Sequence, residues 1–271
     1  MGDSVNVHTF ETLTWEHLDF NFRSVKDAPK NVFADDAGGL ALREAFAYCV
    51  PRQEIVDNLI KPINPDAVVM NAREVFPFQD NYADVVAASY DGRFDAVDIE
   101  KSKAKIAESG VATPIDVRIG YRAGNQRRAD QVAQIAASCK DAGFNIIDAN
   151  SATFFDTEMP NGDYEVALFA WAGSGQIASG QNIYVTNKGQ NYGMYSNAKV
   201  DEAWGTLAGT LDTAVQQEQV KVIEKELWDT LFGLPIFAHP GVAASDAKIQ
   251  NVRPTSTQDQ IVWNAPQWVM S

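Results

Sequence analysis

Residues 114–172 alternate between strand-like and helix-like stretches, and this alternation constrains the fold more than any other feature of the chain. "PIDVRIGYR" and "FNIID" are typical of strands, and the apolar "YEVALFAWAG" is typical of a third, buried one. "NQRRADQVAQIAASCKDAG" carries apolar residues along one helical stripe, and a short helix is expected around "ATFFDTEM". Strand, helix, strand, helix, strand is the order of α/β layers with right-handed crossovers. We therefore expect a fold of the α/β class.

The flanking sequence predicts further elements on both sides of this unit. Residues 5–22 alternate and contain several aromatic residues, which predicts an extended segment. "LALREAFAYCV" and "PRQEIVDNLI" predict two helices, and residues 61–90 predict an irregular segment with one short helix. "DIEKSKAKIAESG" predicts a helix capped by Asp98 and closed by Gly110. Two more helices are expected in "AKVDEAWGTLAGTL" and "DTAVQQEQVKVIEKELWDTLF", then a short strand in "GLPIFAHPGVAASD" and an extended tail.

Composition and charge exclude several classes of function. The 271 residues carry 22 basic and 36 acidic side chains, a formal net charge of −14, which disfavours binding to nucleic acid or to anionic membranes. No stretch approaches the ~20 continuous apolar residues of a membrane-spanning helix. The opening "MGDSVNVHTFETLTWEHLDF" has neither the basic nor the apolar region of a signal peptide.

The cysteines and histidines do not predict a metal centre. Cys49 and Cys139 both fall in helical patterns, which favours two separate buried cysteines and leaves a disulfide open if the chain is exported. His8, His17 and His239 lie far apart without the spacing of metal ligands. We expect no metal site and no cofactor.

Catalytic motifs are also missing from the sequence. There is no phosphate-binding Gly-Lys-Ser/Thr loop, no dinucleotide glycine fingerprint and no Gly-x-Ser-x-Gly nucleophile elbow. The stretch "AGSGQ" leaves one enzymatic alternative, a hydrolase that pairs Ser174 with the distant His239. We expect a protein without catalytic residues.

Three loops rich in aromatic and small polar residues predict a small-molecule cleft. They are "YRAGN", "WAGSGQIASGQN" and the stretch before the helix in "NYGMYSNAKVDEAW", and two of them directly follow predicted strands. Arg122 adds a guanidinium that can grip a carboxylate, the alternative being an arginine paired with a surface acid. For the rings of Trp171, Tyr192 and Tyr195, packing in the core is the alternative. The predicted ligand-binding residues are Tyr121, Arg122, Asn125, Trp171, Gly173, Ser174, Gly175, Asn191, Tyr192 and Tyr195.

A series of motifs, in order along nearly the whole chain, resembles the extracellular solute-binding proteins of the peptide/nickel type, the family 5 receptors of ABC importers. The helix pair "LREAFAYCVPRQEIVDNLI" resembles one of that family, and "DIEKSKAKIAESG" is similar to its next helix. Further similarities lie in "LTWEHLDFNF", "QVAQIAASCKDAGFNI", "YEVALFAWAG", "NYGMYSNAKVDEAW" and "IEKELWDTLFGLPIF". Each motif is loose alone, and the order of all of them carries the resemblance.

The resemblance implies a type II-like lobe of a periplasmic binding protein, with a mixed sheet flanked by helices. Family members are longer and have two lobes, so the chain is expected to be the C-terminal part. Residues 1–22 would form the crossover segment, 23–241 the ligand-binding lobe and 242–271 a return toward the absent N-terminal lobe. The resemblance further implies an extracellular or periplasmic, lipid-anchored receptor that docks on a membrane permease.

The family's ligand residues carry over only in part. Its peptide binders place an Asp shortly after the tryptophan of the third strand, where it pairs with the peptide's amino group. Ser174 stands at that position here, so the charge that pairs with the amino group is absent. Arg122 fits the position of an arginine that holds the carboxylate in dipeptide binders. The expected solute is therefore a peptide held differently, or another solute such as a nickel chelate, an oligosaccharide or an opine. A third class, a protein-interaction module that reuses the lobe, stays open.

Overall fold

A computed structural model describes residues 4–173 and 178–271. The N-terminal half comprises β1 (Val5–Phe20), α1 (Gly39–Cys49), α2 (Arg52–Leu59), α3 (Tyr82–Ser89), α4 (Ile99–Ser109), β2 (Ile115–Arg122) and α5 (Gln126–Cys139). The remainder comprises β3 (Phe144–Ser151), α6 (Glu158–Asn161), β4 (Val166–Ala172), α7 (Gln181–Tyr184), α8 (Ala198–Ala208), α9 (Thr213–Asp229) and β5 (Gly233–Asp246). Two short strands, β6 (Ile249–Gln250) and β7 (Val269–Met270), lie in the tail.

Five of the strands form one mixed sheet in the order β3-β2-β4-β1-β5. β2 runs parallel to β3 and to β4, as the alternation of strands and helices predicts. β1 runs antiparallel to β4 and to β5. Helices pack against the sheet, so the α/β prediction is confirmed.

Short-range signals explain where the central helices begin and end. The Asp98 side chain accepts a hydrogen bond from the Lys101 amide (3.0 Å), and Gly110 ends α4 in the left-handed conformation at φ 72°. Asn125 caps α5 in the same manner, accepting from the Arg128 amide at 3.2 Å. Each capping bond satisfies an amide that the first turn of a helix leaves without a partner.

The two faces of the sheet are packed by different parts of the chain. Along β4, Val166 and Leu168 join the large core that contains α1 and α5, whereas Ala167 and Phe169 join a smaller cluster on the other face. The same alternation runs through β2, where Gly120 faces that smaller cluster. A Cβ at Gly120 would lie 2.2 Å from the Phe154 ring, so this close contact requires glycine.

The two cysteines form a disulfide, so the expectation of two separate buried thiols is wrong. Cys49 at the end of α1 is bonded to Cys139 at the end of α5, and their Cα atoms are 4.9 Å apart. The Ser138 hydroxyl also donates to the Cys49 carbonyl (2.6 Å), so the two helix ends are joined twice. Tertiary packing brings together residues 90 positions apart, and helical periodicity alone does not show this pairing.

The chain ends depart from the main sheet. Residues 5–11 of β1 pair with residues 240–246 of β5 as a two-stranded ribbon. A register shift between Glu11 and Trp15 separates this ribbon from the main sheet. The tail is folded into turns, a short 3-10 helix and the β6–β7 pair, so the prediction of an extended tail is wrong. Across residues 4–173 and 178–271, no helix is both long and apolar enough to span a membrane.

Candidate functional site

A cavity of about 350 Å³ opens at the carboxyl end of β4. Its walls come from β1, from the irregular segment before α3, from the end of β4, from the start of α7 and from α9. The described residues that line it are Leu13, Trp15, Arg73, Glu74, Val75, Phe76, Gln79, Asn81, Trp171, Ala172, Gly173, Ser179, Gly180, Ile183, Gln190, Gln217 and Val220.

Aromatic rings form one wall of this cavity. Trp15 and Phe76 are buried, and Trp171 is partly exposed. The Trp171 ring stacks on Tyr192 with centroids 6.2 Å apart and meets Phe169 edge-on at 5.0 Å. The buried Trp171 indole nitrogen finds no acceptor among the described residues, which leaves a hydrogen-bond donor at the wall. A ring surface whose N–H has no acceptor among the described residues suits a ligand that is partly apolar and carries an acceptor.

Arg73, one of two charged residues among the described lining residues, is held by the protein. Its guanidinium lies 3.0 Å from a carboxylate oxygen of Glu224, and both side chains are almost fully buried. It also donates to the Gly233 carbonyl (2.6 Å) and lies over the Trp228 ring at 4.6 Å. The positive charge of Arg73 is therefore matched by Glu224 and is not free for a ligand.

Glu74, the other charged lining residue, is in a different state. Burial raises the pKa of Glu74 to about 8, and the negative charge of Glu224 acts in the same direction. The Tyr184 hydroxyl and the Arg73 guanidinium oppose this rise in the pKa. Glu74 is therefore largely a neutral acid near pH 7, and it becomes an anion when a cation approaches or the pH rises.

The model of the family described as bacterial extracellular solute-binding proteins, family 5, matches residues 1–193. The chain belongs to this family. Among curated relatives of this family 5 chain, an uncharacterized lipoprotein of Mycobacterium tuberculosis is 28% identical over 235 residues, which are 84% of the chain and 40% of the relative. The oligopeptide-binding protein OppA of the same organism is 24% identical over 253 residues, or 91% of the chain and 41% of OppA. The chain thus spans about two fifths of the length of these relatives.

Solved structures of family 5 type show the same fold. The periplasmic EDTA-binding protein EppA superposes with a TM-score of 0.83 over 99% of this chain and 50% of that protein, at 17% identity. The oligopeptide-binding protein AppA of Bacillus subtilis, in complex with a nonapeptide, superposes with a TM-score of 0.77 at 16% identity, over 99% of this chain and 53% of AppA. The chain therefore has the type II-like fold that its motifs imply.

Three of the predicted ligand residues lie at or beside the cavity of this family 5 chain. Trp171 and Gly173 line it, and Tyr192 stacks on Trp171. The Gly173 amide donates to the Leu13 carbonyl (2.6 Å), which fixes the backbone where β4 leaves the sheet. Ser174 and Gly175 lie outside the described residues.

Four predicted ligand residues make contacts within the fold. Tyr121 is buried on the opposite face of the sheet, where its hydroxyl donates to Asp148 (3.1 Å), and Asn125 caps α5. The side-chain amide of Asn191 donates to the backbone carbonyls of Val185 (3.1 Å) and Tyr195 (2.8 Å). The Tyr195 ring packs in the core, on Phe22 and Phe232, which is the alternative that the sequence left open for it. The contacts of these four give no support to a ligand-binding role.

Arg122 ends β2 as an exposed side chain. Strand alternation places it on the same face as Gly120, and so on the face of Trp171. It does not line the cavity, and it makes no ion pair with another described residue. Its role in holding a carboxylate stays a prediction.

His239, the histidine of the hydrolase alternative, is engaged in a buried network. Its Nε2 lies 2.9 Å from a carboxylate oxygen of Glu16, and the Arg128 guanidinium donates to the other oxygen at 2.7 Å. Burial acts to raise the pKa of Glu16, but the hydrogen bonds from His239 and Arg128 outweigh it and hold that pKa well below its usual range. This network joins β1, β5 and α5. Ser174 lies outside the described residues, and residues 4–173 and 178–271 contain no cluster of three metal-ligating side chains.

Little in the sequence indicates the two charged residues at the cavity. Arg73 and Glu74 lie in residues 61–90, a stretch without periodicity that predicts only irregular structure. The available signal was two adjacent charges inside the apolar run "VVMNAREVFPF", where unpaired charges are costly to bury.

Proposed function

We propose that this chain is the solute-binding component of an ABC importer, which captures peptides or a related small solute without catalysing a reaction. The observation that carries the proposal is the cavity beside Trp171, which opens where a strand of the family 5 lobe leaves the sheet. Its mixture of ring surface, amide groups and one available carboxyl is typical of a small-molecule site.

We further propose that a second lobe completes the site. The resemblance assigns residues 1–22 and 242–271 to the connection with that lobe and residues 23–241 to this one. Residues 14–20 of β1 also form a strand of this lobe's sheet. The β1–β5 ribbon supports this arrangement, because two adjacent strands leave the sheet together. Closure of two lobes around a solute would then present the receptor to a membrane permease.

The proposed compartment is extracellular or periplasmic, with a lipid anchor. The Cys49–Cys139 disulfide supports it, because disulfides persist in oxidising compartments. The relatives named as lipoproteins support the anchor.

Similar proteins are named for different ligands. Peptides are therefore the first class of solute to test, and metal chelates are the second. One relative is named for oligopeptides, and one structure for a nickel–histidine complex. Serine at position 174, in place of the acid that the resemblance leads us to expect, favours a peptide held by other groups or a different solute.

Thermal unfolding of the natural-length protein tests the proposal. Peptide mixtures, nickel–histidine and oligosaccharides are each added at increasing concentration. A solute at about 100 times its dissociation constant stabilises the folded state by ~2.7 kcal/mol, which appears as a rise in Tm.

Two tryptophan variants give this experiment its matched control. We expect Trp171→Ala to abolish the rise in Tm and Trp263→Ala, which removes a half-exposed ring from the tail, to preserve it. A rise that survives Trp171→Ala would move the site away from this cavity. No rise with any solute class would contradict the receptor function.

A further inference from the structure

We propose that Glu74 is the anionic partner of an ammonium group on the solute, so that this cavity selects solutes with a free amine. The inference rests on the proposed receptor function and names the class of solute that the cavity takes. It follows from the charges, the rings and the backbone around Glu74.

The charges at the cavity leave one negative group for a ligand. Arg73 and Glu74 are the charged side chains among the described lining residues. Arg73 is paired with Glu224, and the amides of both Arg73 and Glu74 donate to the same Glu224 carboxylate. Once the Arg73–Glu224 pair is neutral, an ionised Glu74 gives the cavity a net charge of −1. A cationic group on the solute restores neutrality, whereas a carboxylate would be repelled.

The rings around the cavity favour the same class of solute. Trp15, Phe76 and Trp171 line the cavity together with Glu74. An ammonium group is attracted to the face of an aromatic ring within ~6 Å, and most strongly to tryptophan. One carboxyl with aromatic neighbours suits an ammonium ion better than a metal ion, which requires several ligating side chains.

The backbone at Gly180 leaves room for the Glu74 carboxyl. A Cβ at this glycine would lie 2.4 Å from one carboxyl oxygen of Glu74 and 2.7 Å from the other. Glu74 comes from the segment before α3 and Gly180 from the start of α7. The carboxyl is therefore held between two elements at the cavity wall.

The protonation state of Glu74 makes the selection conditional. Glu224 on α9, Tyr184 on α7 and Arg73 on its own segment are the titratable groups that act on it. Burial raises the pKa of Glu74 to about 8, so Glu74 must lose a proton at pH 7 before it can pair with the ammonium group. This cost lowers the affinity for the solute about tenfold. The arriving ammonium group offsets this cost by lowering that pKa.

A blocked and an unblocked peptide mixture test the proposal on the natural-length protein. The probe is a tryptic casein digest, and its control is the same digest after acetylation, which removes every free amine. Tm and direct titration are measured with the wild-type protein, with Glu74→Gln and with Glu100→Gln. The last variant removes the same charge from an exposed position on α4 that is outside the cavity.

We expect the free digest to raise Tm and the acetylated digest to raise it far less. Glu74→Gln should lower the affinity about 10- to 100-fold, the range of a lost charge-assisted hydrogen bond, and Glu100→Gln should leave it unchanged. Glu74→Asp, which keeps the charge, should retain part of the binding.

Three results would overturn the inference, and they are distinguishable from a failure of the receptor function. Equal binding of both digests, or full binding by Glu74→Gln, would show that the amine or Glu74 is not used, while the receptor function stands. Binding only of nickel–histidine or of oligosaccharides would have the same meaning. Binding of nothing in the panel would overturn both proposals together.

Discussion

The two faces of the central sheet differ in how they are completed. The face toward α1 and α5 carries the large apolar core, with the buried Glu16–Arg128–His239 network beside it, and is closed by the Cys49–Cys139 disulfide and the Ser138 hydrogen bond. The face of Trp171 ends in a cavity with a matched ion pair and an unmatched carboxyl. The closed face holds the lobe together, and the cavity face carries the groups that we propose contact the solute.

The largest effect is expected from opening the closed face at its disulfide. Replacing both Cys49 and Cys139 by serine should lower the free energy of unfolding by about 3–5 kcal/mol, since the crosslink closes a loop of 90 positions. Guanidinium unfolding with and without a reductant measures this. The double-serine variant should not respond to the reductant. A wild-type protein that is equally stable when reduced would show that the disulfide does not hold the closed face.

Deleting one side chain on each face should separate stability from binding. Leu168→Ala opens a cavity in the closed core and should cost about 2–5 kcal/mol of unfolding free energy, with the solute affinity of the folded protein unchanged. Trp171→Ala removes a partly exposed ring and should cost less stability but most of the affinity. Urea unfolding and titration of the same two variants give both quantities. Equal losses of affinity would break the contrast between the faces.

The raised pKa of Glu74, on the cavity face, leads us to expect that the free energy of unfolding depends on pH. Burial raises its pKa in the folded protein to about 8, against an ordinary value of 4.5, so between these values the folded state binds more protons than the unfolded state. The unfolding free energy should therefore fall as the pH rises through this window. Glu74→Gln should remove this fall. The unfolding free energy of the variant, relative to that of wild type, should therefore be ~1–3 kcal/mol higher at pH 8.5 than at pH 5, a range reduced because the Glu74 side chain is partly exposed.

The groups around Glu74 provide the control for that measurement. Glu224 acts with burial to raise the pKa of Glu74, and Arg73 and Tyr184 act against it. Unfolding free energies of wild type and Glu74→Gln are compared at several pH values, so that other titrating groups cancel. Parallel curves would show that Glu74 is ionised in the folded protein at neutral pH.

The smallest effect on stability is expected at Arg122. Its side chain is exposed and makes no ion pair with a described residue, so Arg122→Ala should change the unfolding free energy by less than about 0.5 kcal/mol. A loss of affinity for peptides with a free carboxylate, but not for amidated ones, would support its predicted role. Equal affinity for both forms would remove Arg122 from the site.

The sequence predicts the closed face better than the cavity face, because local rules determine more of it. The cap at Asp98, the alternation of β2 and the stripe along α5 are all set by residues within a few positions. The disulfide joins residues 90 positions apart, and the Arg73–Glu224 pair joins residues 151 positions apart. Local sequence patterns do not indicate contacts over such distances. The composition of the loops selected Trp171 and Gly173, which line the cavity, together with Tyr121, which faces the other side of the sheet, and Asn125, which caps α5. Composition shows neither the side of a sheet to which a side chain points nor whether a polar side chain caps a helix.

Hydrogen exchange of the natural-length protein, with and without a solute that raises its Tm, shows where on the chain the solute binds. We expect the solute to slow exchange in residues 13–15, 73–81 and 171–173, which surround the cavity. We expect little change in exchange at the end of α1 or along α5. Protection confined to the α1–α5 face, or spread evenly over the chain, would contradict the placement of the solute at this cavity.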